Sequence, residues 1–204
     1  MWENIYSENF FIWGEGRYIL KVISGLAKGH KLFSIDKLNI RPTLGHIKES
    51  IFNMIMFRVE NCFFLDLCSG SGAIGIEALS RGSKKVFFVE KNMACVKLIK
   101  KNLGITKLDK HDNFKIICGD AREIVKNLAQ QKIFFDIIFL DPPYYKNISQ
   151  EILIIIGEKN LLREDGIIIC ETGLDEDLPD INTFDFYRCK KYGNCKINFI
   201  RRKN

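Results

Sequence analysis

Residues 62–82 read CFFLDLCSGSGAIGIEALSRG, and the changes of pattern inside this stretch decide the fold. Cys62 to Leu67 is an apolar run broken only by Asp66, the composition of a strand buried on both faces. Gly70, Gly72 and Gly75 follow in G-x-G-x-x-G spacing. Glycines there let the backbone turn sharply and let a ligand come close to the main chain before a helix starts. The spacing predicts that helix over 72–81, ended by Gly82.

Downstream the same unit repeats. KVFFVE (85–90), FKIICGD (114–120), FFDIIFLD (134–141) and GIIICE (166–171) have strand composition. NMACVKLIKKNL (92–103, with Gly104 at its end), AREIVKNLAQQ (121–131) and NISQEILIIIGEKN (147–160) have helical periodicity. Strand–helix alternation with apolar strands predicts an α/β fold, a doubly wound, mostly parallel sheet with helices on both faces. The tail, 184–202, predicts two further strands around Tyr192-Gly193-Asn194, a hairpin on the sheet edge. Upstream, RYILKVISG (17–25) and LAKGHKLFSI (26–35) predict an N-terminal hairpin. Arg41-Pro42-Thr43 then breaks the chain, and Thr43 can cap a helix over 44–57 with Ile47, Ile51, Met54 and Ile55 on one face. Three parts result: a poorly constrained extension (1–16), a hairpin-and-helix appendage (17–57) and a main domain (58–204).

The chain has 204 residues, 47% of them apolar, enough for one full core without disulfide or metal staples. That apolar content excludes global disorder, and no run approaches the ~18 apolar residues of a membrane helix. The start, MWENIYSENFF, has two acids and no base, which a secretory signal would not. Seven cysteines (62, 68, 95, 118, 170, 189 and 195) include no C-x-x-C pair, and Cys62, Cys118 and Cys170 lie in or beside apolar runs. They fit small buried thiols in a reducing cytoplasm, with no zinc site. His30, His46 and His111 show no ligand spacing, so no metal is expected.

The net charge of +6 is concentrated at the two ends. Residues 17–48 hold seven Lys/Arg against one acid, and residues 187–204 hold seven against none. Such ends suit a polyanionic partner, nucleic acid above all, although a solvated lysine-rich surface has the same composition.

The glycine spacing alone does not separate dinucleotide enzymes from other nucleotide binders. Asp66 would repel a pyrophosphate, which a helix N-terminus normally holds, and suits a ligand with a cationic amino-acid part. Glu90, at the end of the second strand of the main domain, can take both hydroxyls of a ribose. Asp120 closes the third; it can accept from an adenine amino group or cap the helix over 121–131.

The fourth strand ends in Asp141-Pro142-Pro143-Tyr144, the most specific tetrapeptide in the chain. An exocyclic amine on a base is a poor nucleophile because its lone pair is delocalised into the ring. Two acceptors on its N–H groups draw the nitrogen toward a reactive geometry and take up the charge that grows during attack. Asp141 supplies one acceptor, and the carbonyl of Pro142, held in a rigid turn, supplies the other. Tyr144 can stack on a base taken out of its helix, worth ~1–3 kcal/mol; Tyr145 is expected to pack instead.

With these residues in order, the chain resembles the class I S-adenosylmethionine-dependent methyltransferases that methylate amino groups. More closely it resembles the bacterial family that methylates N2 of guanine 966 in 16S ribosomal RNA. The segments ISGLAKGHKL, RPTLGHIKESIFNMI, DLCSGSGAIGIEALSRG with VFFVEKN, and FLDPPY with IIICET carry the likeness. RPT-x-x-x-x-K/R-E-x-x-F-N, here Arg41 to Asn53, is the most discriminating. The resemblance implies a seven-stranded sheet with an antiparallel last strand, S-adenosylmethionine as donor (S-adenosylhomocysteine as product) and 16S rRNA or the small ribosomal subunit as partner. It implies a donor site at Asp66, Cys68, Gly70, Ser71, Gly72, Glu90, Lys91, Asp120 and Ala121, and a target base at Asp141, Pro142, Pro143 and Tyr144. Arg41 and Thr43 would lie near the site mouth, with Lys28, His30 and Lys31 toward RNA. A cytoplasmic monomer is expected. The resemblance departs at Cys68 and Ser69 and at Leu44-Gly45-His46, and it leaves the extension unexplained. An adenine-N6 methyltransferase, a glutamine-amide methyltransferase, a non-catalytic assembly factor that binds the cofactor and a nicotinamide oxidoreductase are the competing readings. Asp141 and the basic ends speak against the glutamine amide; Asp66 and the DPPY turn speak against nicotinamide.

Overall fold

The computed structural model describes residues 20–34, 43–110 and 112–203. A short ladder, β1 (Leu20–Lys21) and β2 (Lys31–Leu32), precedes α1 (Thr43–Met54) and α2 (Met56–Val59). Then come β3 (Phe63–Leu67), α3 (Ala73–Ser80), β4 (Lys85–Glu90), α4 (Met93–Thr106), β5 (Phe114–Cys118), α5 (Ala121–Gln130), β6 (Phe135–Leu140) and α6 (Ile148–Glu158). The chain closes with β7 (Leu162–Gly173), β8 (Phe184–Tyr192) and β9 (Cys195–Arg202).

Seven strands form one sheet in the order β5-β4-β3-β6-β7-β9-β8. β3 through β7 pair in parallel, whereas β9 runs antiparallel to β7 and to the edge strand β8. This is the doubly wound architecture, terminal hairpin included, that the alternating pattern predicts. The central strands are apolar on both sides because each face carries a helical layer. One layer packs α1 (Ile47, Ile51, Phe52), α3 (Ile76, Leu79) and α4 (Ile99, Leu103) on Phe64, Phe88 and Phe139. The other packs α5 (Val125, Leu128) and α6 (Ile152, Leu153, Ile156) on Leu65, Val89 and Ile138. Leu20, Val22, Ala27 and Leu32 of the N-terminal segment lie in the first layer, so the described part of that segment shares the core of the sheet.

Four expectations change. The N-terminal hairpin, expected over 17–35, pairs only two residues per arm among the described residues. Three of its other amides point at α3: Ile23 N and Ser24 N donate to Glu77, and Ala27 N to Ser80 Oγ. A Cβ on Gly25 would lie 1.8 Å from the Ser80 carbonyl oxygen, so only glycine allows this docking. The helix expected over 44–57 divides at Ile55. α4 does not stop at Gly104, because Leu103 and Thr106 are buried on the next turn; it ends where Lys107 adopts φ +60°. Cys118 is exposed rather than buried, because β5 is an edge strand with one face partly open.

The docking of the N-terminal segment centres on a buried ion cluster. Glu77, fully buried, accepts from Lys48 Nζ at 2.9 Å and from Arg81 Nε at 2.8 Å. Lys48, itself 2% exposed, also donates to the Lys21 carbonyl at 2.8 Å. Burial would raise the carboxyl of Glu77, but Lys48 and the Ile23 amide hold it below the usual carboxylate range. One carboxylate thus ties the hairpin, α1 and α3 together.

Candidate active site

β3 and β6 are neighbours in the sheet although two strand–helix units separate them in the chain. The chain winds from β3 to β4 and β5 on one side and from β6 to β7 on the other. Open α/β sheets bind ligands at the C-terminal ends of their strands at such a switch. Register pairs Leu67 with Leu140 and Leu140 with Cys170. The next residues, Cys68, Asp141 and Glu171, therefore stand in a row at the ends of three adjacent strands. Asp141 N donates to the Leu67 carbonyl at 3.3 Å, which stitches the DPPY turn to the glycine loop.

The loop after β3 is held from below. Ser69 Oγ donates to the Asp66 carbonyl at 2.7 Å and accepts from Val89 N at 3.1 Å. Glu90 accepts from Gly70 N at 2.9 Å and from Asn92 N at 2.8 Å. Asp66 Oδ2 accepts from Gly75 N at 3.0 Å, whereas Oδ1 accepts no hydrogen bond among the described residues. Cys68, Gly70 and Gly72 all adopt positive φ, +61°, +53° and +77°. A Cβ on Gly70 would meet nothing within 4 Å, so the loop is open to a ligand there. At Gly72 it would press on Ile99 at 3.1 Å, and at Gly75 it would overlap the Phe88 ring at 2.3 Å. The first glycine leaves an approach to the backbone, and the other two let α3 close onto β4 and α4.

Burial, with the Glu90 charge adding to it, pushes the Asp66 carboxyl up to about 7 against the pull of the Gly75 amide. A cationic group would relieve that cost. An open glycine loop floored by buried acids is the donor set that an amino-acid-bearing adenosyl cofactor requires. S-adenosylmethionine therefore fits the residues present.

Asp120 caps α5: Oδ1 accepts from Arg122 N at 3.0 Å, and the Arg122 guanidinium also holds both oxygens. Those bonds, against a smaller opposing effect of burial, set the Asp120 carboxyl low, at about 2. The capping role is realised. At 35% exposure Asp120 keeps lone pairs open to a second donor.

The carboxylate of Asp141 accepts no hydrogen bond among the described residues, nor does the carbonyl of Pro142. Burial, the charge of Glu171 and that of Asp66 raise the Asp141 carboxyl well above the usual range. An acid kept unpartnered beside two others is an expensive arrangement for a fold, and it presents acceptors to whatever enters.

The two tyrosines are held differently. The Tyr144 hydroxyl donates to Glu171 Oε1, and its ring lies partly buried against the apolar layer. Tyr145 meets Tyr144 edge-on and stays 64% exposed, with φ +59° and its hydroxyl end over Gly173. Tyr145 thus packs through its tip while leaving the larger free surface.

Glu171 escaped the sequence reading. Its signal was positional: like Asp66, Glu90 and Asp141, it is an acid at the C-terminal end of a parallel strand. Lys48 and Glu77 escaped as well, although both lie inside quoted motifs. Lys28 and Lys31 are exposed on the N-terminal segment, and His30 Nδ1 lies 2.9 Å from the Ala27 carbonyl oxygen. Arg41, the side chain of Thr43 and the 1–16 extension lie outside the described residues. Burial pushes the Cys68 and Cys195 thiols up to about 12, so neither is a thiolate nucleophile. Among the described residues no group of three His, Cys, Asp or Glu side chains is arranged to hold a metal, and no helix is long and apolar enough to cross a membrane.

Comparison with known proteins agrees with this geometry. The chain is 38% identical to "Putative rRNA methyltransferase YlbH" of Bacillus subtilis, over 90% of this chain and all of that one. It is 34% identical to "Ribosomal RNA small subunit methyltransferase D" of Haemophilus influenzae, over 78% of this chain and 81% of the relative. Among solved structures it superimposes on "Putative methyltransferase yhhF from Escherichia coli" with a TM-score of 0.77 at 26% identity, covering 90% of this chain and 98% of the other. Residues 20–201 match one family throughout, and the chain belongs to it: the family described as Conserved hypothetical protein 95.

Proposed function

We propose that the chain transfers a methyl group from S-adenosylmethionine to the exocyclic N2 of a guanine in 16S ribosomal RNA, at the base that the resemblance indicates as position 966. The observation that carries this reading is the unpartnered pair of acceptors, the Asp141 carboxylate and the Pro142 carbonyl, one strand from Asp66 and the glycine loop. The names of the relatives at 38% and 34% identity supply the RNA.

The donor lies against Asp66, Cys68, Gly70, Ser71, Gly72, Glu90, Lys91, Asp120 and Ala121. Bound there, the cofactor supplies an electrophilic methyl group on a cationic sulfur. Asp141 and the Pro142 carbonyl accept the two N–H groups of the guanine amine and orient its lone pair toward the loop. Asp141 accepts through its carboxyl oxygens, and the amine proton leaves to Asp141 or to water after transfer. Pro143 stiffens the turn, and Tyr144, held by Glu171, offers the ring on which the base stacks. Lys28, Lys31, Arg41 and Thr43 face the RNA, on the 17–57 appendage to the 58–204 catalytic domain. The protein works as a cytoplasmic monomer on free 16S rRNA or on the small subunit.

The test is labelling of 16S rRNA and of small subunits with tritiated methyl donor, followed by mass identification of the nucleoside. N2-methylguanosine is expected. N6-methyladenosine would assign the site to the competing base, and absence of label from both substrates would overturn the reading. Asp141→Ala should lower transfer by about 10²–10³-fold, the scale of losing one such charge-stabilising contact, while calorimetric affinity for the cofactor survives.

A further inference from the structure

The basic tail is not uniform. Of its seven cations, Lys196 pairs with Asp177, Arg201 with Asp185 and Lys203 with Asp180, while Arg202 donates to the Leu162 carbonyl and to Asn160. The side chains of Arg188, Lys190 and Lys191 make no hydrogen bond or ion pair among the described residues. They lie on the edge strand β8, where residues 188–191 are all exposed. Lys191 sits directly across the ladder from Lys196, a like-charge pair that weakens a sheet.

Register fixes where these cations stand. Glu171 pairs with Ile197, and Ile197 with Lys190. Asp141, Glu171, Ile197 and Lys190 thus form one row across four strands, and at ~4.8 Å per strand Lys190 is roughly 14 Å from Asp141. Cross-strand partners share a face. Lys190 faces with Ile197 and Arg188 with Phe199, on the side of the sheet that α1 covers. Tyr192 lies within that layer, and its hydroxyl bonds Ser50 Oγ of α1. The hairpin tip is therefore fastened to the helix that follows the RPT segment. Arg188 and Lys190, about 7 Å apart along the strand, extend the same wall. Tyr187, 42% exposed, adds an aromatic surface beside them with the Arg201 guanidinium 5.2 Å from its ring centre.

We propose that the outer strand of the C-terminal hairpin, through Arg188 and Lys190 on the face that α1 covers, is a phosphate-binding track that holds the RNA backbone flanking the target base, whereas Lys191, paired with Lys196, faces the other side. The inference rests on the RNA reading above and assigns it a second surface, at the opposite end of the chain from Lys28 and Lys31. An acidic floor under Asp141 repels phosphate, so the backbone has to be held at the rim. Free cations one base-length or two from the floor meet that need, whereas charges deep in the site would not.

The experiment compares the native chain with Arg188→Gln/Lys190→Gln in binding to a 16S rRNA fragment across a salt series, and in methyl transfer. With ~0.7 counterions released per single-strand phosphate, losing two contacts should lower the slope of log Kd against log salt by about 1.4. KM for RNA should rise at least about threefold while kcat at saturating RNA and the calorimetric affinity for S-adenosylmethionine hold. An unchanged slope and KM would overturn the proposal and leave the two residues as guards of an open sheet edge or contacts for a protein. Arg188→Lys/Lys190→Arg should keep the native slope; a loss there would also count against a charge-based track. If the native chain labels no RNA but the slope still falls in the glutamine variant, methyl transfer fails as a reading and the track stands.

Discussion

Asp66→Asn separates what the site needs from what the fold prefers. Asp66 is 2% exposed, and its carboxyl is pushed from 3.8 up to about 7 by burial and by Glu90. In the unfolded chain it ionises near pH 4, so between pH 4 and 7 the unfolded state loses a proton that the native state keeps. Native stability therefore falls as pH rises through that window and levels off above it. With those two values the penalty is under about 1 kcal/mol at pH 4, about 2 at pH 5 and about 4 at pH 8. Asparagine removes it, and its amide oxygen still accepts from Gly75 N, the contact that now measures 3.0 Å. Without cofactor, Asp66→Asn should be no more stable than the native chain near pH 4 and increasingly more stable toward pH 8. The gain at pH 8 is bounded by ~4 kcal/mol, or ~8–16 °C in melting temperature for a chain of this size. Urea titrations at pH 4, 5 and 8 provide the measurement, with S-adenosylmethionine affinity recorded in parallel and expected to fall. A stability difference that does not change with pH, or a variant less stable at pH 8, would refute the reasoning.

Two further outcomes are expected. Gly72→Val places a β-branched side chain at φ +77° and 3.1 Å from Ile99; loop geometry should fail and calorimetric cofactor affinity should drop below detection, whereas unchanged affinity would detach the loop from cofactor binding. Lys48→Ala leaves Glu77 buried with Arg81 as its remaining cation, and breaking such a pair costs about 3–5 kcal/mol; a chemical-denaturation loss under about 1 kcal/mol would show that the cluster does not hold the hairpin.

The parallel sheet was legible because its strands are apolar on both faces and its helices carry 3.6-residue periodicity; those two patterns are local. The two arms of the N-terminal hairpin were legible, but what anchors them is not local. Ile23, Ser24 and Ala27 find their partners on α3, more than fifty positions away. The glycine loop and the DPPY turn announced themselves through residue types that few other structures require. Glu171 did not, because an acid after an apolar run has no meaning until register sets it beside Asp141. The tyrosines show the same limit: sequence ranks them by position in a motif, and packing decided that Tyr144 is tethered and Tyr145 is exposed.

A net charge of +6 conceals how the charges are sorted. Asp66, Glu90, Asp141 and Glu171 stand at the C-terminal ends of four parallel strands, all at least largely buried or flanked by another acid. The unpartnered cations stand two strands beyond Glu171, on β8. An amine that must lose a proton and a cationic donor are both stabilised by the acidic floor. A polyanion is not, and the floor alone would expel it. The basic edge answers that repulsion without neutralising the floor, because at roughly 14 Å from Asp141 it lies beyond the ~8 Å Debye length of physiological salt. Moving those lysines inward would strengthen phosphate binding, pair Asp141 and disable the acceptor. The distance between rim and floor is therefore a functional quantity, and the antiparallel hairpin that ends the sheet is what sets it.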